Sequence, residues 1–231
     1  MSGLPNRILV TGGGTGLGRA IAQACCEAGA QVVICGRRAE LLQETAQSIG
    51  ATAHACDITN PHAFDELEAF DGLVHAAGVR VHASVADWNT QTGQDLWNLH
   101  VDALARIARE ISPPKGGSIL VLSSSLALKP VQGSSSYSAT KAAQLSLVRS
   151  LALELAPKKV RVNALVLGVV PTDMTRSQPV GEKDPRLDEL ARLHPLGLGE
   201  PENVASAAVE LLSNPWITGA ELAVDGGLSL A

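Results

Sequence analysis

Short aliphatic and β-branched runs alternate with segments of helical period along the chain, and few folds accept that pattern. Residues 7–10, 31–35, 51–56, 73–77, 118–122, 160–166 and 222–224 read as strands. Residues 17–28, 39–49, 61–70, 136–156 and 201–213 read as helices, with a further long helix inside 88–111. In the first helix Leu17, Ile21, Ala24 and Ala28 share one face. Gly29 and Gly50 are stop signals, Pro61 suits a first helical turn, and Pro113, Pro114, Gly116, Gly117 and Pro157 are breakers. Residues 172–194 read as a polar loop, containing Pro179 and Gly181, with one helix near 187–193. Strands separated by such helices form βαβ units, whose right-handed crossovers build a parallel sheet. The expectation is therefore a Rossmann-type, doubly wound α/β fold: about seven parallel strands, helices on both faces, and one domain over residues 1–231. Sheets of this kind bind ligands beyond the carboxyl ends of their strands.

Composition agrees with buried parallel strands. The 231 residues are 45% hydrophobic and 3% aromatic, so aliphatic side chains must fill the core. The net charge of −5, with no basic run, speaks against nucleic acid or an anionic membrane as partner. No apolar stretch has the length of a signal peptide or a membrane span, and a cytoplasmic location is expected. Cys25, Cys26, Cys35 and Cys56 form no C-x-x-C pair, so they read as small buried thiols rather than zinc ligands or disulfides; no metal is expected.

Function should then sit just after the strands. The first strand runs into Thr11-Gly12-Gly13-Gly14-Thr15-Gly16-Leu17-Gly18, where a helix begins. Glycines there permit a tight bend, backbone access for a pyrophosphate and close helix–strand packing. Amides at the helix start would face the phosphates. After the second strand stand Gly36-Arg37-Arg38, with no carboxylate to hold ribose hydroxyls. A guanidinium at Arg37 suits a 2′-phosphate, which favours NADP(H), with NAD(H) left open. The plainer alternative is that Arg37 and Arg38 are ordinary solvated charges. Asp57 could meet the adenine edge or simply start the turn before Pro61.

The helix after the fifth strand carries Tyr137-Ser138-Ala139-Thr140-Lys141, which puts phenol and amine on one face. A nearby ammonium favours phenolate, and lowering a pKa near ~10 by about three units needs roughly 4 kcal/mol. Tyr137 is the single tyrosine in the chain. Ser123, Ser124 and Ser125 end the preceding strand, where a Ser124 hydroxyl could bind a carbonyl oxygen or merely satisfy loop backbone.

Taken together, these pieces resemble the classical short-chain dehydrogenase/reductase family over nearly the whole chain. Further matches are His75-Ala76-Ala77-Gly78, Arg161-Val162-Asn163-Ala164, Thr172-Asp173-Met174, Pro195-Leu196-Gly197, Gly199-Glu200-Pro201, Ile217-Thr218-Gly219 and Val224-Asp225-Gly226-Gly227. The resemblance implies a strand order of 3-2-1-4-5-6-7 and interconversion of a carbonyl and a secondary alcohol. Tyr137 would be the proton donor, Lys141 would hold the nicotinamide ribose, and Ser124 would orient the substrate oxygen. Gly12, Thr15, Gly16, Leu17, Gly18, Arg37, Asp57, Ile58, Ala77 and Gly78 would meet the dinucleotide, with Gly168, Val170 and Thr172 at its nicotinamide end. Three departures stand out. His75-Ala76 replaces the usual pair of asparagines, Leu167 precedes Gly168 in place of proline, and His100 takes the place of the asparagine in the catalytic tetrad, with Asn98 competing for it. The segment near 112–115 is short for the family. The resemblance also implies a homodimer or homotetramer built on the long helices and the C-terminal edge. The substrate is left open between a simple ketone and a 3-oxoacyl thioester. An inactive dinucleotide-binding sensor or structural subunit is the competing class.

Overall fold

The computed structural model describes residues 3–110, 116–176, 178 and 183–231. Its centre is one seven-stranded sheet of order β3-β2-β1-β4-β5-β6-β7, with parallel pairing throughout. The strands are β1 (Arg7–Thr11), β2 (Gln31–Gly36), β3 (Thr52–Ala55), β4 (Gly72–His75), β5 (Ser118–Ser124), β6 (Arg161–Leu167) and β7 (Glu221–Val224). The helices are α1 (Gly16–Glu27), α2 (Ala39–Ile49), α3 (Thr90–Trp97), α4 (Ala103–Glu110), α5 (Ser135–Leu155), α6 (Pro185–Leu193) and α7 (Pro201–Ser213).

Alternation along each strand sends neighbours to opposite faces and creates two cores. Leu9, Leu73, Ile119, Val121, Val162 and Ala164 face one layer, where Leu104, Ile107, Leu145 and Val148 of α4 and α5 cover them. Ile8, Val10, Val74, Leu120, Leu122 and Leu165 face the other, under Ile21, Leu42, Ala208 and Leu211 of α1, α2 and α7. Helix α1 offers Gly18, Ile21, Ala22 and Cys25 to that core, the stripe expected of a 3.6-residue period.

Two expectations change. Residues 61–70 form no helix; residues 58–67 run through successive turns, although Pro61 is a fair helix starter. Tertiary demand explains it: Asp57 and Asn60 close local turns onto Thr59 and His62, and Phe64 and Phe70 drop separately into the core. The long helix of residues 88–111 is interrupted. Between α3 and α4, Asn98–Asp102 widens to a π turn, a form associated with functional sites. Strand ends also move. β5 extends to Ser124, whereas β4 stops at His75 and leaves Ala76, Ala77 and Gly78 as turn. Pro113, Pro114, the short segment at 112–115, Pro179 and Gly181 lie outside the described residues. No described helix is long and apolar enough to cross a membrane.

Several of the resemblance's markers are structural fasteners. Arg161 donates to the Leu211 and Leu212 carbonyls at the end of α7, the groups that helices leave unpaired. Buried Asn163 donates to the Ile217 carbonyl and accepts from the Ala220 amide, which fixes the approach to β7. The Asp225 carboxylate accepts from the amides of Gly227 and Ser229 and shapes the turn after β7.

Candidate active site

The carboxyl ends of β1, β2, β4, β5 and β6 open into one cavity of about 980 Å³. Its floor at one end is the glycine turn. The amides of Gly12 and Gly13 donate to the Cys35 carbonyl, and Thr45 of α2 donates to the Gly14 carbonyl. Gly12 has φ +67°, and a Cβ there would lie 2.8 Å from the Ala77 Cα. A Cβ on Gly18 would run into the Gly12 carbonyl oxygen. Only glycine lets β1, the turn, α1 and the β4 turn approach this closely. Thr15, the residue before α1, makes no side-chain cap, so the first amides of α1 stay open toward the cavity. A diphosphate fits that cradle by charge and shape.

At the end of β2, Arg37 and Arg38 line the cavity, and Arg38 also reaches the Thr15 hydroxyl at 3.4 Å. After β3 stand Cys56, Asp57 and Ile58. The amide of Thr59 chiefly, with its hydroxyl and Arg37, holds the Asp57 carboxyl below its usual range against the opposing effect of burial.

The other end of the cavity is built on α5. Its buried face is polar for its first three turns, at Tyr137, Ser138, Thr140, Lys141 and Gln144, and apolar beyond, at Leu145, Val148 and Ala152. The change marks where packing gives way to chemistry. Ser123 donates to the Lys141 carbonyl at 3.0 Å and pins α5 to β5. Ser124 closes β5, accepts from the Leu126 amide and lines the cavity together with Tyr137. Lys141 Nζ sits 5.7 Å from the centre of the Tyr137 ring. It donates to the Leu122 carbonyl at 2.8 Å and to Gln144 Oε1 at 2.9 Å. Two of its three protons are thereby placed, and the third is free for a group in the cavity.

Behind this face lies His100. Thr140 donates its hydroxyl to the Tyr137 carbonyl, so His100 Nδ1–H must donate to Thr140 Oγ1, 2.9 Å away. His100 Nε2 then accepts from the Val79 amide at 3.3 Å, and the tautomer is fixed by its neighbours. The ring meets Tyr137 edge-on at 5.7 Å.

Electrostatics depart from the sequence expectation in sign. Burial pushes the Tyr137 phenol above its ordinary value, and the Ser124 hydrogen bond and the Arg80 guanidinium only partly offset it. Lys141 does not depress the phenol here. Burial brings the lysine itself down to about 7. Burial is so complete, at 5% exposure, that desolvation outweighs the acceptors gathered around the ammonium.

Each dinucleotide and catalytic residue singled out above lines the cavity, from Gly12, Thr15, Gly16, Leu17 and Gly18 through Arg37, Asp57, Ile58, Ala77 and Gly78 to Ser124, Tyr137, Lys141, Gly168, Val170 and Thr172, with one exception. His100 stands behind the wall, 3.1 Å from where a Gly78 Cβ would lie. The rival Asn98 lines the cavity and accepts from Gln94. Arg80, Asp95, Gln144 and His194 went unremarked in the sequence. Gln144 offered a signal, being polar and three residues past Lys141 on the same face. His194 offered none. It ties α6 to the loop after β6 by accepting from the Val169 amide at 3.1 Å, a contact far apart in the chain.

Comparison with known proteins bears on what this geometry serves. A family model described as enoyl-(acyl carrier protein) reductase matches residues 12–229. A human 3-oxoacyl-[acyl-carrier-protein] reductase is 37% identical over 238 residues, covering 96% of this chain and 97% of the relative. A solved 3-oxoacyl-[acyl-carrier protein] reductase from Brucella melitensis superposes with a TM-score of 0.91 at 29% identity, over 100% of this chain and 93% of that one. A blue fluorescent protein from a metagenomic library, solved in complex with NADPH, superposes at 0.87 with 27% identity, over 97% and 98%. The strand order, the glycine cradle and these matches over the chain's length agree: the chain belongs to the short-chain dehydrogenase/reductase family of oxidoreductases.

Proposed function

We propose that residues 1–231 act as one catalytic domain, an NADP(H)-dependent reductase that converts a ketone or a 3-oxoacyl thioester to the secondary alcohol. The observation that carries this reading is that Ser124, Tyr137 and Lys141 line the same cavity as the glycine cradle and Arg37. A nicotinamide dinucleotide held by the glycine cradle, Arg37 and Lys141 would supply a hydride to the carbonyl carbon. Tyr137 gives its hydroxyl proton to the carbonyl oxygen as that oxygen gains electron density, and Ser124 holds the oxygen by donating a second hydrogen bond. A phenol kept neutral by burial suits the reductive direction, because the proton to be donated is in place at neutral pH. Lys141 offers its third N–H to the nicotinamide ribose, its other two being held by the Leu122 carbonyl and Gln144. His100 supports the wall from behind through Val79 and Thr140 rather than touching the reacting atoms.

Arg37 and Arg38, with no carboxylate at the end of β2, support NADP(H) over NAD(H). Names of relatives in both the acyl-carrier and carbonyl reductase groups support the two substrate classes. Small-molecule substrate, cytoplasmic location and a homodimer or homotetramer complete the reading. The test is consumption of NADPH and of NADH with short ketones, β-keto esters, quinones and 3-oxoacyl thioesters. NADPH should be preferred, and Arg37→Asp should raise its KM about ten-fold, near 1.4 kcal/mol, while NADH changes little. Equal use of NADH by the unaltered protein would remove the cofactor assignment. Cofactor binding without turnover, indifferent to Tyr137→Phe, would favour the sensor.

A further inference from the structure

Gln144 is fully buried on α5, about one turn past Lys141, and both ends of its amide are engaged. Its Oε1 accepts from Lys141 Nζ at 2.9 Å, and its Nε2 donates to the His100 carbonyl at 2.8 Å. Neither end can be reversed. An ammonium has only donors and a carbonyl only acceptors, so the amide has one orientation. The carbonyl it meets belongs to the widened Asn98–Asp102 turn, where the regular helical ladder is disturbed and carbonyls want partners elsewhere. A side-chain amide thus spans from the lysine to the neighbouring helix with no gap for a water between them.

We propose that Gln144 is the positioning residue for Lys141: its amide clamps the ammonium to the widened turn at His100 and closes the back of the site to water. The ammonium then has fixed partners at Leu122 and Gln144, and one N–H aimed into the cavity. Any proton that reaches the site must enter from the cavity mouth. The titratable groups facing Lys141 are Tyr137 on its own helix, His100 on the widened turn and His75 at the end of β4. Both histidines are held neutral, and the ammonium's own hydrogen-bond acceptors are the Leu122 carbonyl and Gln144 Oε1.

The kinetic part of the test rests on the function proposed above; the spectroscopic part does not. In cofactor-free protein, the Cε signals of the six lysines are followed by NMR against pH, with Lys141 identified from a Lys141→Arg spectrum. Gln144→Met keeps length and removes both polar ends, and should lower the Lys141 midpoint by about one pH unit. Gln144→Glu should raise it by about one unit or more. In turnover, Gln144→Met should reduce kcat about ten-fold and move the basic limb of the pH profile down, while the ketone KM stays within about two-fold. Midpoints unmoved in both variants, or moved in the same direction, overturn the clamp. Should the Met variant fail to fold, the Glu variant decides alone. Shifted midpoints in a protein that reduces nothing would sink the reductase and leave the clamp standing; an active protein with unmoved midpoints would do the reverse.

Discussion

Buried histidines make the site sensitive to acid. Burial, then Lys141, brings His75 down to about 3, and burial, Lys141 and His75 bring His100 down to about 2. Both folded values lie below the ordinary 6.5, so each ring is neutral when folded and takes a proton when unfolded. Their contribution to stability is therefore full above pH 6.5 and is lost as pH falls toward 3. Each proton should add about 1 kcal/mol per pH unit to the slope of unfolding free energy in that window. Denaturant titrations between pH 6.5 and 4 should give a slope shallower by one such step in His75→Asn. An unchanged slope would mean that the ring already titrates normally. At the same scale, Tyr137→Phe should cut kcat by about 10³ while dinucleotide affinity stays within about two-fold, read by stopped turnover and by titration calorimetry.

Between elements, glycine decides how closely α1 can approach the β1 turn. Gly18→Ala forces a methyl onto the Gly12 carbonyl, and backbone rather than a flexible side chain must yield. The expected result is a loss of about 1–3 kcal/mol in denaturant melts together with weaker dinucleotide binding. A fully stable variant with unchanged affinity would show that the cradle is looser than drawn. Helix α5 teaches a complementary lesson. Its polar buried face was legible in part, because Tyr137 and Lys141 fall four apart, whereas Ser138 and Thr140 looked like ordinary helix residues. The stretch at 58–67 misled because a proline and a polar–apolar mix suit a helix locally, while its Phe64 and the following Phe70 are claimed by the core at different depths.

For the molecule as a whole, apolar groups left on the outside bear on assembly. Leu153 on α5 is 78% exposed and Trp216, before β7, is 94% exposed. Leu153 lies on the long helix and Trp216 just before the C-terminal edge strand, the elements on which the proposed dimer or tetramer would be built. Leu153→Glu and Trp216→Glu should each lower the mass seen by sedimentation at micromolar concentration, with the fold intact by circular dichroism. A monomeric parent protein would dispose of the dimer or tetramer.

The family resemblance supplied most of the cavity residues; strand–helix alternation and the glycine turn were enough, without coordinates, to give the doubly wound sheet. Local spacing encodes those features, because period and turn chemistry act over a few residues. Only tertiary structure decided the charge states and the supporting shell. The high phenol value, the lowered lysine, the neutral His75 and His100, and the Lys141–Gln144–His100 bridge all depend on desolvation and on contacts between residues far apart in the chain. Burial is a property of the packed molecule, and no pattern along the chain measures it.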